Sequence, residues 1–596
     1  MIKVNLTEKI KQVFKEEQMY RKAFFLLHNY VFSGVVVATK KHTIQDADSK
    51  EGLRINRSAF TGNIVLHSNR KFITNPLHIS QEILRMQKLE VAKYKTIDEF
   101  IPEFLIRLQK GEEIKINWVY PGSISVEMQK IIDVYNSYRE NNPVGKGSIC
   151  FSHDQISFNL LDSKSVLASV ASILKNIDIQ NINIQGEMTP VAIKSSIDYL
   201  LACGYTESET FAILQLVKDL LPECKDCKPR SLTDFVLSVL NEYISEDGFL
   251  RNSDKFVSKI NHTAGGLGVI EWSKQILSEL ASGIYNFDEE QTLSETAIKK
   301  ISQKFLNFMR SKFKSPRLMS ENDIEDFIVN NGVAFQEYLA NDNNVKVEKS
   351  INFIQVKLFS EKLSCWEFFP VIISDQIIID GMHVGNIIRL HDQNYLSMKK
   401  MFYGTNIQDR LHLIGAAYST LVYLILSIVP CKINNAFLVN TLSDFNSIPI
   451  LYSGIDLMVK FAPNGLKEVK IVEINPRFTG CIQALARVMQ ESKQRNVSFD
   501  DITKEKSIVS LTFYFNPTKV CSNLLKSKAA RKLFAKKLMI YLQKNLGELD
   551  FMLISYQMDL ISSRISYCYL IDSSISKNEV VENLHRQQEL IFNFIP

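Results

Sequence analysis

The sequence predicts an α/β (α+β) protein, and three observations predict it. Short β-branched runs alternate with helical patterns through roughly the first 150 residues, as in interleaved strands and helices. Two apolar runs that carry acids, Ser453–Lys460 and Glu468–Gly480, flank Pro463-Asn464-Gly465, and Asn-Gly between such runs signals a hairpin. Past residue 496 the chain supplies further strand material and closes on a helical pattern. At 596 residues it exceeds one ordinary core, so about two to four domains are expected.

In chain order, Thr7–Tyr30 reads as a helix with Ile10, Val13, Phe14 and Phe24-Phe25-Leu26-Leu27 on its apolar side. Tyr30–Ala38, Gly62–Leu66, Ile114–Tyr120 and Ile149–Phe151 read as strands, and Ser80–Val91 and Ser125–Tyr138 as helices. Gly145-Lys146-Gly147-Ser148 lacks the earlier Gly and the Lys-Ser/Thr pair of a phosphate loop and is set aside. A helix opens near Ser163 and runs to about Leu174. Thr189-Pro190 offers a capping hydroxyl and a first-turn proline, and that helix runs to Ala202 and stops before Gly204. With Glu207–Leu221 and Ser231–Tyr243 it makes 189–245 largely helical.

Lys255–Ile260 then reads as a strand, followed by the glycine-rich Gly265-Gly266-Leu267-Gly268 and a renewed apolar run. Gly332–Leu339 reads as a strand end, Ile351–Leu358 and Val371–Ile379 as antiparallel strands, and Gly381–Arg389 as a loop leading into a strand. Leu411–Pro430 is twenty residues without Asp, Glu, Lys or Arg, and reads as a buried helix rather than a membrane span. Cys481–Met489 resumes helical spacing. Ile508–Phe515 and Leu549–Ile571 supply strands, Ala529–Leu546 a basic amphipathic helix, and Lys577–Phe594 a final helix. The basic face of 526–537 (Lys526, Lys528, Arg531, Lys532, Lys536, Lys537) reads as solvated, with an acidic partner as the other reading.

Hydrophobic residues make up 45% and charged residues 23%, ordinary for a soluble globular protein. A net charge of +5 on this length implies neither nucleic acid nor a membrane as partner. Met1–Leu6 lacks the features of a secretory signal. Of nine cysteines only Cys224 and Cys227 form Cys-x-x-Cys, without a second pair or suitably spaced histidines. They are expected to be free thiols on a loop in a reducing cytoplasm. A homodimer is the common case for soluble chains of this kind.

The chemistry concentrates in the acid-bearing hairpin. Residues two apart on a strand share a face, which puts Glu473, Asn475 and Arg477 together and Val472 and Ile474 opposite. Oxygen-bearing groups and a cation on an apolar strand are costly to bury unless something binds them. A hard cation such as Mg2+, held together with phosphates, is the natural guest, and Asp456 on the preceding strand adds an oxygen. Lys259 ahead of Gly265, Gly266 and Gly268 offers a fixed charge and closely approaching backbone N–H groups to anionic oxygens.

At these residues the sequence resembles the ATP-grasp superfamily of carboxylate–amine ligases, whose metal strands carry an Asp and then Glu-x-Asn-x-Arg, here Asp456 and then Glu473, Asn475 and Arg477. The resemblance implies Asp456, Glu473 and Asn475 as metal ligands, and Lys259, Gly265, Gly266 and Gly268 over the nucleotide phosphates. Lys164 matches a further phosphate-binding Lys, although Ser163 interrupts the Asp-Lys pair and a solvated charge is the other reading. Gln336, Glu337 and Leu339 match the hinge that reads adenine, with Glu337 equally a solvated acid at a strand end. Arg477 would steady the transferring phosphoryl group or bind the carboxylate. Arg389 would contact an acyl phosphate or pair with a surface carboxylate.

The implied cofactors are ATP and Mg2+ (or Mn2+). The implied substrates are a small-molecule or peptide carboxylate and an amine, joined through an acylphosphate. The expected layout is a pre-ATP-grasp α/β domain over 1–155, a two-lobed ATP-grasp core over 156–495, and a small C-terminal α/β domain over 496–596. This layout resembles peptide ligases of the pheganomycin type. Two readings stay open beside it: an ATP-binding regulatory or scaffold protein without ligase activity, and a phosphotransferase of the same fold.

Overall fold

The computed structural model describes residues 35–38, 65–67, 97–118, 126–151, 160–179, 182, 191–261, 268–285, 294–312, 321–339, 347–360, 365–379, 382–389, 404–405, 413–428, 452–461, 465–476, 480–514, 537, 540–541, 544–545, 550–557 and 564–594. The expected helices over Thr7–Tyr30 and Ser80–Val91, and most of that over Ala529–Leu546, lie outside them.

The first part is a parallel α/β unit. It comprises β1 (Val35–Ala38), β2 (Val65–His67), α1 (Ile97–Gln109), β3 (Glu113–Trp118), α2 (Val126–Asn141) and β4 (Ser148–Phe151). The strand order is β2-β1-β3-β4, all parallel. Helix α1 has Pro102 inside it, yet Phe100, Phe104 and Leu108 keep four-residue spacing. That stripe meets Ile114, Ile131 and Tyr138 in one core.

Next come α3 (Lys164–Lys175), α4 (Val191–Ala202), α5 (Glu207–Leu220), β5 (Cys224–Cys227), α6 (Leu232–Ile244), α7 (Phe249–Asn252), β6 (Lys255–Ile260), β7 (Val269–Ser273), α8 (Lys274–Ala281), α9 (Glu295–Lys312), α10 (Glu321–Asn331) and β8 (Val333–Glu337). Side-chain caps start several helices. Ser163 accepts from Val166 N, Ser231 from Asp234 N, and Thr206 with Glu209 closes a capping box. An antiparallel sheet runs β5-β8-β6-β7. Its core is aromatic, with Phe235, Phe256, Trp272, Phe305 and Phe335, and Trp272 donates its indole N–H to Ser258 Oγ at 2.9 Å. Cys224 and Cys227 lie in strand β5, not on a loop. Three residues apart on a strand, they point to opposite faces.

The third part is an eight-stranded antiparallel sheet. Its elements are β9 (Val347–Ser360), β10 (Cys365–Ile379), β11 (Met382–Arg389), α11 (Leu413–Ile428), β12 (Tyr452–Phe461), β13 (Lys467–Asn475), α12 (Gly480–Arg495), α13 (Phe499–Thr503), β14 (Lys506–Tyr514), β15 (Asp550–Gln557), β16 (Arg564–Asp572) and α14 (Lys577–Phe594). The order is β13-β12-β9-β10-β11-β14-β16-β15. Because β14 pairs with β11, the expected boundary between 495 and 496 falls within one continuous sheet.

Cross-strand register sorts the two faces of that sheet. Ile474, Ile455, Phe353 and Ile373 form one row. They share a core with α4, α5 and α11. Glu473, Asp456, Asn352 and Ser374 form the row on the other face. Helix α11 is the apolar run expected to be buried, and Gly415 lets it approach the Phe368 carbonyl so closely that a Cβ would stand 2.1 Å from that oxygen. Among the described residues no helix is long and apolar enough to cross a membrane.

The β11–β14 contact is similarly tight, since a Cβ at Gly385 would lie 2.2 Å from Ser510 O. Gly385→Ala is therefore expected to cost about 1–3 kcal/mol by overpacking. Denaturant unfolding of this variant should show the loss, and stability equal to the parent protein would contradict the pairing.

Candidate active site

Strands β12 and β13 form the expected hairpin, turned at Gly465 with φ +78°. Asp456 pairs with Glu473 while Leu457 pairs with Ile471, so Val472 is one extra residue in β13, a bulge. The bulge resets the alternation. Val469, Ile471 and Ile474 all stay in the core, and Glu473 remains on Asp456's face. Without it, Ile474 would turn away from the core. Burying such a side chain is worth about 1.5–3 kcal/mol, more than the roughly 1 kcal/mol of a ladder hydrogen bond. The expectation that Val472 and Ile474 share a face is corrected accordingly: the bulge puts Ile474 alone into the apolar core, and Val472 stays half-buried.

Asp456 is held by amides. Asn475 donates Nδ2 to its Oδ2 at 3.0 Å, Gln376 donates Nε2 to its Oδ1 at 3.1 Å, and Asn352 donates Nδ2 to the same Oδ1. Asp456 and Glu473 are like charges directly opposite on adjacent strands, an arrangement that destabilises a sheet unless cations lie near. Two lysines supply positive charge. Lys164, 6% exposed at the first turn of α3, brings Nζ to 3.7 Å from Glu473 Oε1. Lys259, on β6, donates Nζ to the carbonyl oxygen of the bulge residue Val472 at 3.1 Å.

Two further sets of contacts tie the surrounding elements together, and neither was read from the sequence. Asn261, buried two residues past Lys259, accepts from Ser165 N at 2.9 Å. It also donates Nδ2 to Ser165 Oγ at 2.7 Å and to Asn331 O at 2.8 Å. This ties the start of α3 to the end of β6. Lys470 of β13 donates to Asp219 O at 2.9 Å and Leu221 O at 3.1 Å, at the C-terminal end of α5 where a cation suits the helix dipole. A polar residue continuing a buried strand, as Asn261 does, was the signal available.

The remaining candidates divide. Gln336 and Glu337 end strand β8, and Gln336 and Leu339 are buried. Glu337 is not a solvated acid: it accepts from Glu223 N at 3.0 Å and from Lys460 Nζ at 2.9 Å, linking the two antiparallel sheets. Gly268 closes the β6–β7 loop with φ +71°, which favours glycine. Gly265, Gly266 and Arg477 lie outside the described residues. Arg389 is not with this group. It pairs across the sheet with Ile373, on the face opposite Asp456, and its Nη2 donates to Asp375 Oδ2 at 3.2 Å. The other expectation for it is a surface carboxylate; the carboxylate it pairs with is buried.

The donor set is two carboxylates and an amide. Among the described residues no three His, Cys, Asp or Glu side chains gather to hold a metal. Oxygen donors beside lysine ammoniums suit Mg2+ shared with phosphates rather than a metal caged by protein alone. Cys224 stands near Lys259, but burial pushes its thiol up to about 12, so it is no thiolate at neutral pH.

Burial holds Lys259 down to about 8, opposed by the nearby Glu473 and reinforced by the like charge of Lys164. The folded value lies below the ordinary 10.5, so the unfolded chain binds more protons between about pH 8 and 10.5. Stability from this group is full above that window and lost as pH falls through about 8. Urea unfolding of the parent and Lys259→Met should therefore diverge, the parent gaining relative to the variant from about pH 7.5 to 9.5. Parallel pH profiles would contradict the burial of a titrating ammonium.

No family model matches the chain, and no curated protein matches it. Among the solved structures that show faint likeness are three. One is a protein provisionally placed in the ATP-grasp superfamily, from Archaeoglobus fulgidus, at 13% identity over 31% of this chain and 42% of that one, TM-score 0.15. Another is N5-carboxyaminoimidazole ribonucleotide synthetase from Thermus thermophilus, at 8% identity over 83% and 96%, TM-score 0.27. A third is the phosphoribosylaminoimidazole carboxylase ATPase subunit from Aquifex aeolicus, at 12% identity over 44% and 60%, TM-score 0.20. The chain thus spans less than half of the first of these and under two thirds of the third. TM-scores of this size do not establish a shared fold.

Proposed function

We propose that the protein is an ATP-dependent carboxylate–amine ligase of ATP-grasp type, forming an amide through an acylphosphate. The observation that carries this reading is the convergence of Lys164 and Lys259 with Asp456, Glu473 and Asn475, drawn from α3, β6, β12 and β13. Phosphoryl transfer needs positioning and charge neutralisation more than acid–base chemistry, and this residue set offers that.

In the proposed reaction a substrate carboxylate oxygen attacks the γ-phosphorus of ATP, and the bond to the ADP oxygen breaks. An amine then attacks the acyl carbon, the C–O bond to phosphate breaks, and the amine's proton is released. Lys164 and Lys259 would bind phosphate oxygens, Lys259 as the protonated form. Asp456, Glu473 and Asn475 would hold Mg2+ or Mn2+, which when bound neutralises phosphate charge. The backbone of Gln336–Leu339, at the end of β8, would meet the base, with the Glu337–Lys460 ion pair closing that side. Gly265, Gly266 and Arg477 keep the phosphate and phosphoryl roles that the resemblance implies. A small-molecule or peptide carboxylate, as in the pheganomycin-type ligases, and an amine are the substrate classes, with homodimerisation and a cytoplasmic location as further parts of the reading.

Incubation with ATP, Mg2+ and mixed amino acids or peptides tests it. Ligation yields ADP, free phosphate and a condensed product. A phosphotransferase yields ADP and a phosphorylated product without free phosphate, and a regulatory binder yields neither. Glu473→Gln should keep the fold and lose nearly all ADP release, and parent-like turnover by this variant would refute the metal assignment.

A further inference from the structure

The amides on Asp456 are themselves oriented. Ser350 donates its hydroxyl to Gln376 Oε1 at 2.5 Å, which directs the Gln376 NH2 toward Asp456. Cys481, at the start of α12, donates Sγ–H to Asn352 Oδ1 at 3.5 Å and contacts Ser374 Oγ at 2.9 Å, which directs the Asn352 NH2 the same way. An amide has one acceptor end and one donor end, so occupying the oxygen fixes which end faces the carboxylate. Both NH2 groups converge on Oδ1. Two donors occupy the two lone pairs of that oxygen, so Oδ2, which accepts from Asn475, is the oxygen through which Asp456 would meet a cation.

We infer that Asn352 and Gln376 are positioning residues that make Asp456 a one-oxygen ligand and so select Mg2+ or Mn2+ over Ca2+. This rests on the metal role proposed above for Asp456. The physical basis is the difference between the ions. Ca2+ takes six to eight oxygens and readily uses both oxygens of a carboxylate, whereas Mg2+ demands six in near-octahedral geometry and takes one oxygen from each carboxylate. A carboxylate with one oxygen saturated by two amides serves the second pattern and withholds the first. Asn352 is 3% exposed and Ser350 7%, so water does not compete freely for these hydrogen bonds.

The test measures Mn2+ binding in the presence of a non-hydrolysable ATP analogue, by the electron paramagnetic resonance of free Mn2+, and then titrates Ca2+ as competitor. In Gln376→Met the Mn2+ affinity should fall about tenfold, the range seen when a group behind a metal ligand is removed. The ratio of Ca2+ to Mn2+ affinity should rise. Ser350→Ala, which frees the Gln376 amide to rotate but keeps it, should shift both quantities in the same direction by less, and it decides the matter if Gln376→Met does not fold. Unchanged affinity and unchanged ratio in a folded variant overturn the positioning role while leaving the ligase reading intact. Absence of Mn2+ binding by the parent protein with the analogue overturns the metal role of Asp456 itself, and this inference with it.

Discussion

The Lys259 ammonium reaches from the four-stranded antiparallel sheet to the carbonyl oxygen of Val472, the residue by which β13 exceeds its partner strand. A bulge leaves its extra residue without a ladder partner, and here a buried cation answers it. The same extra residue lets β13 meet two demands, keeping Val469, Ile471 and Ile474 in the core while Glu473 stands across from Asp456. Placement of the acids and placement of the lysine are thus one geometric event.

Among the described residues, four of the lysines that cross between the large sheet and the elements beside it lie at the β13 side: Lys164 and Lys259 toward β13, Lys460 toward Glu337, and Lys470 toward the end of α5. Two of these lie among the acids and two at their margins. Removing an ammonium from water costs several kcal/mol unless partners compensate. Each of these has an anionic or carbonyl partner, so the cation-rich seam is consistent with a folded resting state as well as with a role in holding phosphates.

Much of this was legible in the chain. The hairpin around Pro463-Asn464-Gly465, the helices of 189–245 and the final helix Lys577–Phe594 all follow from periodicity and turn chemistry. The meeting of Lys164 and Lys259 with Glu473 follows for Lys259 from a charge on an apolar strand ahead of glycines, and for Lys164, at the start of a helix, only from the resemblance. The bulge at Val472 was not legible, since alternation read from sequence assumes an unbroken ladder. Which of its two expected partners Arg389 meets was not legible for a related reason: a strand's residues alternate predictably, but which face meets the acids is decided by register with strands far away in the chain. The amide collar of Asn352 and Gln376 was invisible because neutral polar residues on β9 and β10 carry no local signature.

The joining of β14 to β11 places strands from opposite ends of a long stretch of chain in one hydrogen-bonded ladder. During synthesis β11 emerges well before β14 to β16. Until the later strands arrive, β11 presents a row of bare amide and carbonyl groups able to recruit a neighbouring nascent chain. The cell therefore has an interval, set by translation speed, in which a half-built sheet must be kept from pairing with the wrong molecule.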